Sequence, residues 1–123
     1  MKLNDLSYQI LGCAFKVHTN LGPGLLESAY ETCMVHELIK KGFNVERQKI
    51  LPLIYDGLKL DAGYRIDIIV NNRVLLEIKS VSEVAPIHTA QVITYLKLSG
   101  IQLGLLLNFN LKDMKDGIHR IIL

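Results

Sequence analysis

The chain has 123 residues, half of them hydrophobic, and a formal net charge of +2 at pH 7. That length fits one compact domain over residues 1–123, because a chain of this size buries roughly two-thirds of its unfolded surface, and no repeat, low-complexity tract or linker divides it. No apolar stretch approaches the ~18 to 20 residues of a membrane-spanning helix, so none is expected. The N-terminal MKLNDLSYQI lacks the apolar run and small-residue cleavage site of a signal peptide, so the cytoplasm is the expected compartment. The small positive charge permits nucleic acid without demanding it, since phosphate neutralisation depends on where Lys and Arg cluster. Cys13 and Cys33 fall on apolar-periodic positions with no Cys-x-x-Cys or Cys/His cluster, and both read as buried structural thiols.

In chain order, Leu6, Ile10, Cys13, Ala14, Val17 and Leu21 follow helical spacing, with Asn4 or Asp5 as N-cap. Gly22-Pro23-Gly24 ends that helix and reads as a helix-helix turn. Leu26, Ala29, Tyr30, Cys33, Met34 and Leu38 mark a second helix that stops near Lys41-Gly42. The two are expected to pack as a hairpin. From Phe43 the periodicity changes: Val45 to Gln48 and Ile50 to Tyr55 read as extended, and Asp56-Gly57 is a two-residue turn into Leu58-Lys59-Leu60. Pro52 argues for an edge or a bulge. A hairpin follows from Tyr64 to about Val81, then a helix from Pro86 to Ser99 closed by Gly100. Leu103 to Phe109 suits a buried strand, and Ile118 to Leu123 a short terminal one. The order α, α, β, β, β, α, β with a final β predicts an α/β domain around a mixed sheet.

The hairpin from Tyr64 to Val81 carries the most chemistry. A two-residue Asn71-Asn72 turn would set Asp67 and Glu77 on opposite faces, because side-chain direction has period two. A three-residue loop of Asn71, Asn72 and Arg73 instead pairs Val70 with Val74 and Asp67 with Glu77, with Asn tolerating the left-handed position. Ile66, Ile68, Val70, Val74, Leu76 and Ile78 then share an apolar face, and Arg65, Asp67, Glu77 and Lys79 share the other with Ile69 and Leu75. Burying the apolar set selects the register that gathers the charges. Two carboxylates beside an amine suit metal-assisted phosphodiester hydrolysis, in which carboxylate oxygens hold Mg²⁺. Lys79 would steady the attacking water or the developing phosphorane charge.

Glu27 on its helix, Arg65-Ile66-Asp67, Glu77-Ile78-Lys79 and Gln91-Val92-Ile93-Thr94-Tyr95 together resemble the PD-(D/E)-x-K nuclease superfamily. Its restriction-endonuclease-like α-β-β-β-α-β core would cover residues 24–109, preceded by an extra N-terminal helix. More narrowly, Gly24-Leu25-Leu26-Glu27-Ser28-Ala29-Tyr30 resembles the signature of the small GxxExxY protein family, over nearly the whole chain. The resemblance implies Asp67 and Glu77 as metal ligands, Lys79 as the catalytic amine and Glu27 as a further acid orienting water or metal. It also implies substrate contacts by Gln91 and Tyr95, four residues apart on one helix face. Ile66 stands where the family name places proline. The implied activity is Mg²⁺-dependent hydrolysis of nucleic acid, DNA before RNA, with Mn²⁺ as a substitute ion.

Each residue also has a plainer reading. Glu27 follows Gly24 by three residues and suits a helix N-terminus; Asp67, Glu77 and Lys79 suit a cross-strand charge cluster. Arg65 serves equally as a surface cation or as partner to a site carboxylate, and Gln91 and Tyr95 equally as helix packing. His18, His36 and His119 have no partner at a metal-ligand spacing, while His88 begins the helix that bears Gln91. Lys40, Lys41, Arg47, Lys49 and Lys59 read as solvated charges. The alternative function is a nuclease-fold protein that binds nucleic acid or a partner protein without hydrolysis. A homodimer stays open at this stage.

Overall fold

The computed structural model of this chain describes residues 1–60 and 64–123. The described helices are α1 (Leu3–Leu21), α2 (Glu27–Lys40) and α3 (Pro86–Ser99). The described strands are β1 (Val45–Ile50), β2 (Leu53–Tyr55), β3 (Leu58–Leu60), β4 (Arg65–Val70), β5 (Val74–Lys79), β6 (Leu103–Asn108) and β7 (Ile118–Ile122), the last entered from a 3-10 turn at Met114–Gly117. β1, β4, β5, β6 and β7 lie side by side in that order, antiparallel except for the β5/β6 pair. A parallel pair needs a crossover connection, and α3 provides it. Thus α2, β1, β4, β5, α3 and β6 make the expected α-β-β-β-α-β core, with α1 and β7 added at its ends.

The extended region after Phe43 differs from its sequence reading. β1 continues through Lys49 to Ile50, and the interruption falls at Leu51-Pro52, where proline has no N–H for a ladder. β2 and β3 pair with each other as a separate hairpin. Asp56 and Gly57 in its turn have φ of 49° and 77°, the left-handed pair that a two-residue hairpin turn demands.

Each face of the sheet is covered. Leu6 and Ile10 of α1 with Tyr30, Met34 and Leu38 of α2 pack on Ile68, Val70, Val74, Leu76 and Ile78. On the opposite face, Val92, Tyr95 and Leu96 of α3 pack on Ile69, Leu75 and Leu106. Every residue of β6 is buried, as suits a strand covered on both sides. Ile66 departs from the expected alternation: it packs with Leu51 and Tyr64 in the α3-side cluster. Cys13 is buried, whereas Cys33 is only half-buried at the margin of the α1/α2 cluster.

α1 and α2 also meet through the Lys16–Glu37 ion pair at 2.9 Å. Arg47 and Lys49 are half-exposed and engaged by Glu31 and Glu46. Exposed pairs of the Lys49–Glu46 kind contribute little to stability.

Two glycines fix close approaches. A Cβ at Gly104 of β6 would lie 2.7 Å from Cγ1 of Val92, so glycine lets α3 settle on the sheet. A Cβ at Gly117 would collide with the carbonyl of Asn108. Because that obstacle is backbone, Gly117→Ala should lower stability by about 1 to 3 kcal/mol, read as a lower urea midpoint. An unchanged midpoint would show that the end of β6 yields easily.

Candidate active site

The β4/β5 ladder follows the expected register, with Val70 opposite Val74, Ile69 opposite Leu75 and Ile68 opposite Leu76. Asn71 and Asn72 take φ of 51° and 54°, and the Arg73 N–H donates to the Val70 carbonyl. The backbone pairing stops there, one rung short of Asp67 and Glu77. Their side chains continue it: the Asp67 N–H donates to Glu77 Oε1 at 3.2 Å, and the Ile78 N–H donates to Asp67 Oδ2 at 2.8 Å. On its other edge β4 pairs with β1 through Arg47–Ile68 and Lys49–Ile66, while the intervening Gln48–Asp67 rung is missing. Asp67 is therefore released from both ladders at one point. This freedom accounts for Ile66 turning toward Tyr64, because alternation holds only while the ladder fixes the strand.

The two acids sit in a setting that disfavours their charge. Glu77 is 4% exposed; burial first, and then the charge of Asp67, pushes its carboxyl up to about 8. Asp67, half-buried, is also pushed up by burial, with the Ile78 N–H pulling the other way. Lys79, the last residue of β5, is half-buried and lowers both carboxyls by its charge.

α2 brings two further carboxylates to this end of the sheet. Glu27, its first residue, is exposed and its Oε2 accepts from the Ser80 N–H at 3.4 Å; its charge acts on Glu77. Tyr30 sets this helix terminus: its hydroxyl donates to the Gly22 carbonyl at 2.6 Å and accepts from the Leu25 N–H, while its ring stacks on Phe109 at 4.7 Å. Ser80 Oγ donates to the Leu25 carbonyl, and the Asn108 side chain bonds both backbone groups of Val81. These contacts tie the segment after Lys79 to α2 and to the end of β6.

Glu31, one turn beyond Glu27, is 8% exposed and binds Arg47 at 2.8 Å. Its Oε1 accepts from the Gln48 amide at 2.6 Å, and the same amide nitrogen donates to Asp67 Oδ1 at 3.3 Å. Gln48 has φ of 50° inside a strand, a left-handed conformation that costs energy for a side-chain-bearing residue and persists where its surroundings enforce it. Sequence reasoning missed Glu31 and Gln48. Its one available signal was the spacing of four between Glu27 and Glu31, which places both on one helix face.

From the opposite side, Tyr95 of α3 is buried and its hydroxyl is pushed up by burial and by the charges of Glu77 and Asp67. Gln91, one turn earlier, is half-buried and shares a cavity with Lys79 and Tyr95. Arg65 is exposed at the start of β4, and its backbone hydrogen bond acts on Tyr95. The structure thus gathers Asp67, Glu77, Lys79, Glu27 and Tyr95 and leaves the Arg65 side chain at the margin.

Among the described residues, no group of three or more His, Cys, Asp or Glu side chains is arranged to hold a metal. The available donors are the carboxylates of Asp67 and Glu77. An all-oxygen pair with open positions suits a hard ion such as Mg²⁺, which keeps several waters and takes one or two carboxylates.

Among the described residues, no helix is long and apolar enough to cross a membrane. A family model described as the PD-(D/E)XK nuclease superfamily matches residues 4–121. Neither a curated protein nor a solved structure matches the chain. The five-stranded mixed sheet with its helical crossover is the restriction-endonuclease-like arrangement, and the nucleases of this superfamily generally use divalent metals. By a match that spans nearly all of its length and the sheet that carries the paired acids, the chain belongs to the PD-(D/E)XK nuclease superfamily.

Proposed function

We propose that this chain is a Mg²⁺-dependent phosphodiesterase that hydrolyses DNA or another nucleic acid with water as nucleophile, Mn²⁺ serving as a substitute ion. The reading extends to the GxxExxY proteins, whose signature the Gly24-to-Tyr30 segment resembles. One observation carries the reading: at the point where the strands part, Glu77 accepts from the Asp67 N–H and Asp67 accepts from the Ile78 N–H, with Lys79 beside them. A cross-strand charge cluster on a solvated face would not bury Glu77 next to a second acid, because unpaired buried charge is costly.

In this mechanism Asp67 and Glu77 would hold the ion. When bound, the ion supplies Lewis acidity toward a phosphoryl oxygen and a water of lowered pKa. The Lys79 ammonium offsets the charge that develops on the phosphoryl oxygens. Glu27, exposed beside the Ser80 N–H, orients water from the α2 side. Gln91 and Tyr95 face the approaching strand from α3, and Arg65 offers a cation at the margin. Gln48 fixes Asp67 Oδ1, so Gln48→Ala should weaken Mn²⁺ binding roughly tenfold, with a loss of about 1 kcal/mol in stability because the buried Glu31 Oε1 loses its amide donor. Unchanged affinity would remove Gln48 from this role.

The reading is tested by offering single- and double-stranded DNA and RNA with Mg²⁺ or Mn²⁺ to the wild type and to Asp67→Ala. Cleavage of at least one substrate by the wild type alone is expected. Binding of a strand with no cleavage by either protein would favour the non-catalytic reading.

A further inference from the structure

A cavity of about 570 Å³ opens between α3 and the β2–β3 hairpin, with Lys79 in its wall. Two kinds of surface meet in it. Leu53 from the hairpin, Tyr64, and Ile87 from the first turn of α3 give apolar and aromatic surface. Gln91 and Thr94, three residues apart on α3, add an amide and a hydroxyl; Gln91 is half-buried and Thr94 exposed, so both are open to a ligand. His88 lines the same space. Its Nδ1 accepts from the Ala85 N–H at 3.1 Å, so the neutral ring carries its proton on Nε2 as a further donor. Ile87 is 69% exposed, a large apolar side chain left to solvent at the cavity.

Apolar faces, a short row of donors and acceptors, and one cation suit a heteroaromatic ring joined to a phosphate. We propose that this cavity receives the base of an unpaired nucleotide adjoining the phosphate under attack, so that the substrate is a single strand, flap or frayed end. This deepens the nuclease reading and rests on it for the position of the phosphate. A base inside a duplex is stacked on both faces and paired along its edge. Only an unpaired base offers its faces to Tyr64 and Ile87 while its edge meets Gln91 and Thr94.

The full chain, free of divalent metal, is titrated with a short single-stranded DNA carrying one 2-aminopurine, and with the same strand in a duplex. The single strand should give a saturable fluorescence change that the duplex does not. Ile87→Ser, a change at an exposed position, and Gln91→Ala should each weaken single-strand binding roughly tenfold, the size expected for losing one base contact. Cleavage with Mg²⁺ is then measured on both forms. Equal binding and equal kcat/KM for single strand and duplex, insensitive to Ile87→Ser, would overturn the base site while leaving the nuclease reading intact. A saturable single-strand response with no cleavage of any strand supports the base site and counts against hydrolysis.

Discussion

Glu77→Gln should make the metal-free protein more stable at pH 8 than the wild type, by about 3 to 5 kcal/mol. In the folded chain Glu77 keeps its proton up to about pH 8, whereas its unfolded value is near 4.5. Between these values the folded state binds more protons than the unfolded one, so stability falls as pH rises through the window. Below about pH 4.5 both states are protonated and the penalty is absent. Asp67, also raised, acts with the same sign. Glutamine mimics the protonated acid and retains an oxygen to accept from the Asp67 N–H. Urea midpoints of the two proteins at a series of pH values check this: the curves should lie together at pH 4.5 and separate by pH 8. Mg²⁺ should narrow the gap from the wild-type side, since ligand at a hundredfold excess over Kd contributes about 2.7 kcal/mol. Parallel curves across the range would mean that Glu77 is already charged in the free protein.

Lys79→Ala should abolish hydrolysis, with kcat lowered by about a thousandfold, while leaving Mn²⁺ affinity within a few-fold of wild type. An ammonium does not coordinate metal, so its removal takes away charge stabilisation rather than the ion. Lys79 also lowers both carboxyls, and losing it should raise the pH needed for metal binding. Single-turnover cleavage at saturating metal separates the two effects. Retained kcat would assign Lys79 to metal-site charge balance alone.

The sequence made the hairpin legible because its apolar residues admit one register: Val70 must meet Val74 for both faces to be buried. That same register brought Asp67 and Glu77 together. It could not show that the ladder ends before them, because a strand's pattern records which side chains are buried and not where hydrogen bonding stops. Ile66 was misplaced for the same reason: its alternation was extended across a rung that does not form. Gln48 escaped notice because it has no pattern of its own, and Glu31 because its only signal is the spacing of four from Glu27. Their contacts with Asp67 depend on a left-handed strand residue and on how α2 crosses the sheet. Tyr30 was legible as a core position, but its anchoring of the turn before Glu27 appears only in three dimensions.

Hydrolysis as proposed requires that Asp67 and Glu77 form a cation site. Calorimetric titration of Mn²⁺ into the wild type and into Asp67→Ala tests it without a substrate. The wild type should give a saturable binding isotherm, with protons released on binding near neutral pH because Glu77 must ionise, and Asp67→Ala should lose that isotherm. Equal heats from the two proteins, or no binding by a folded wild type, would contradict it.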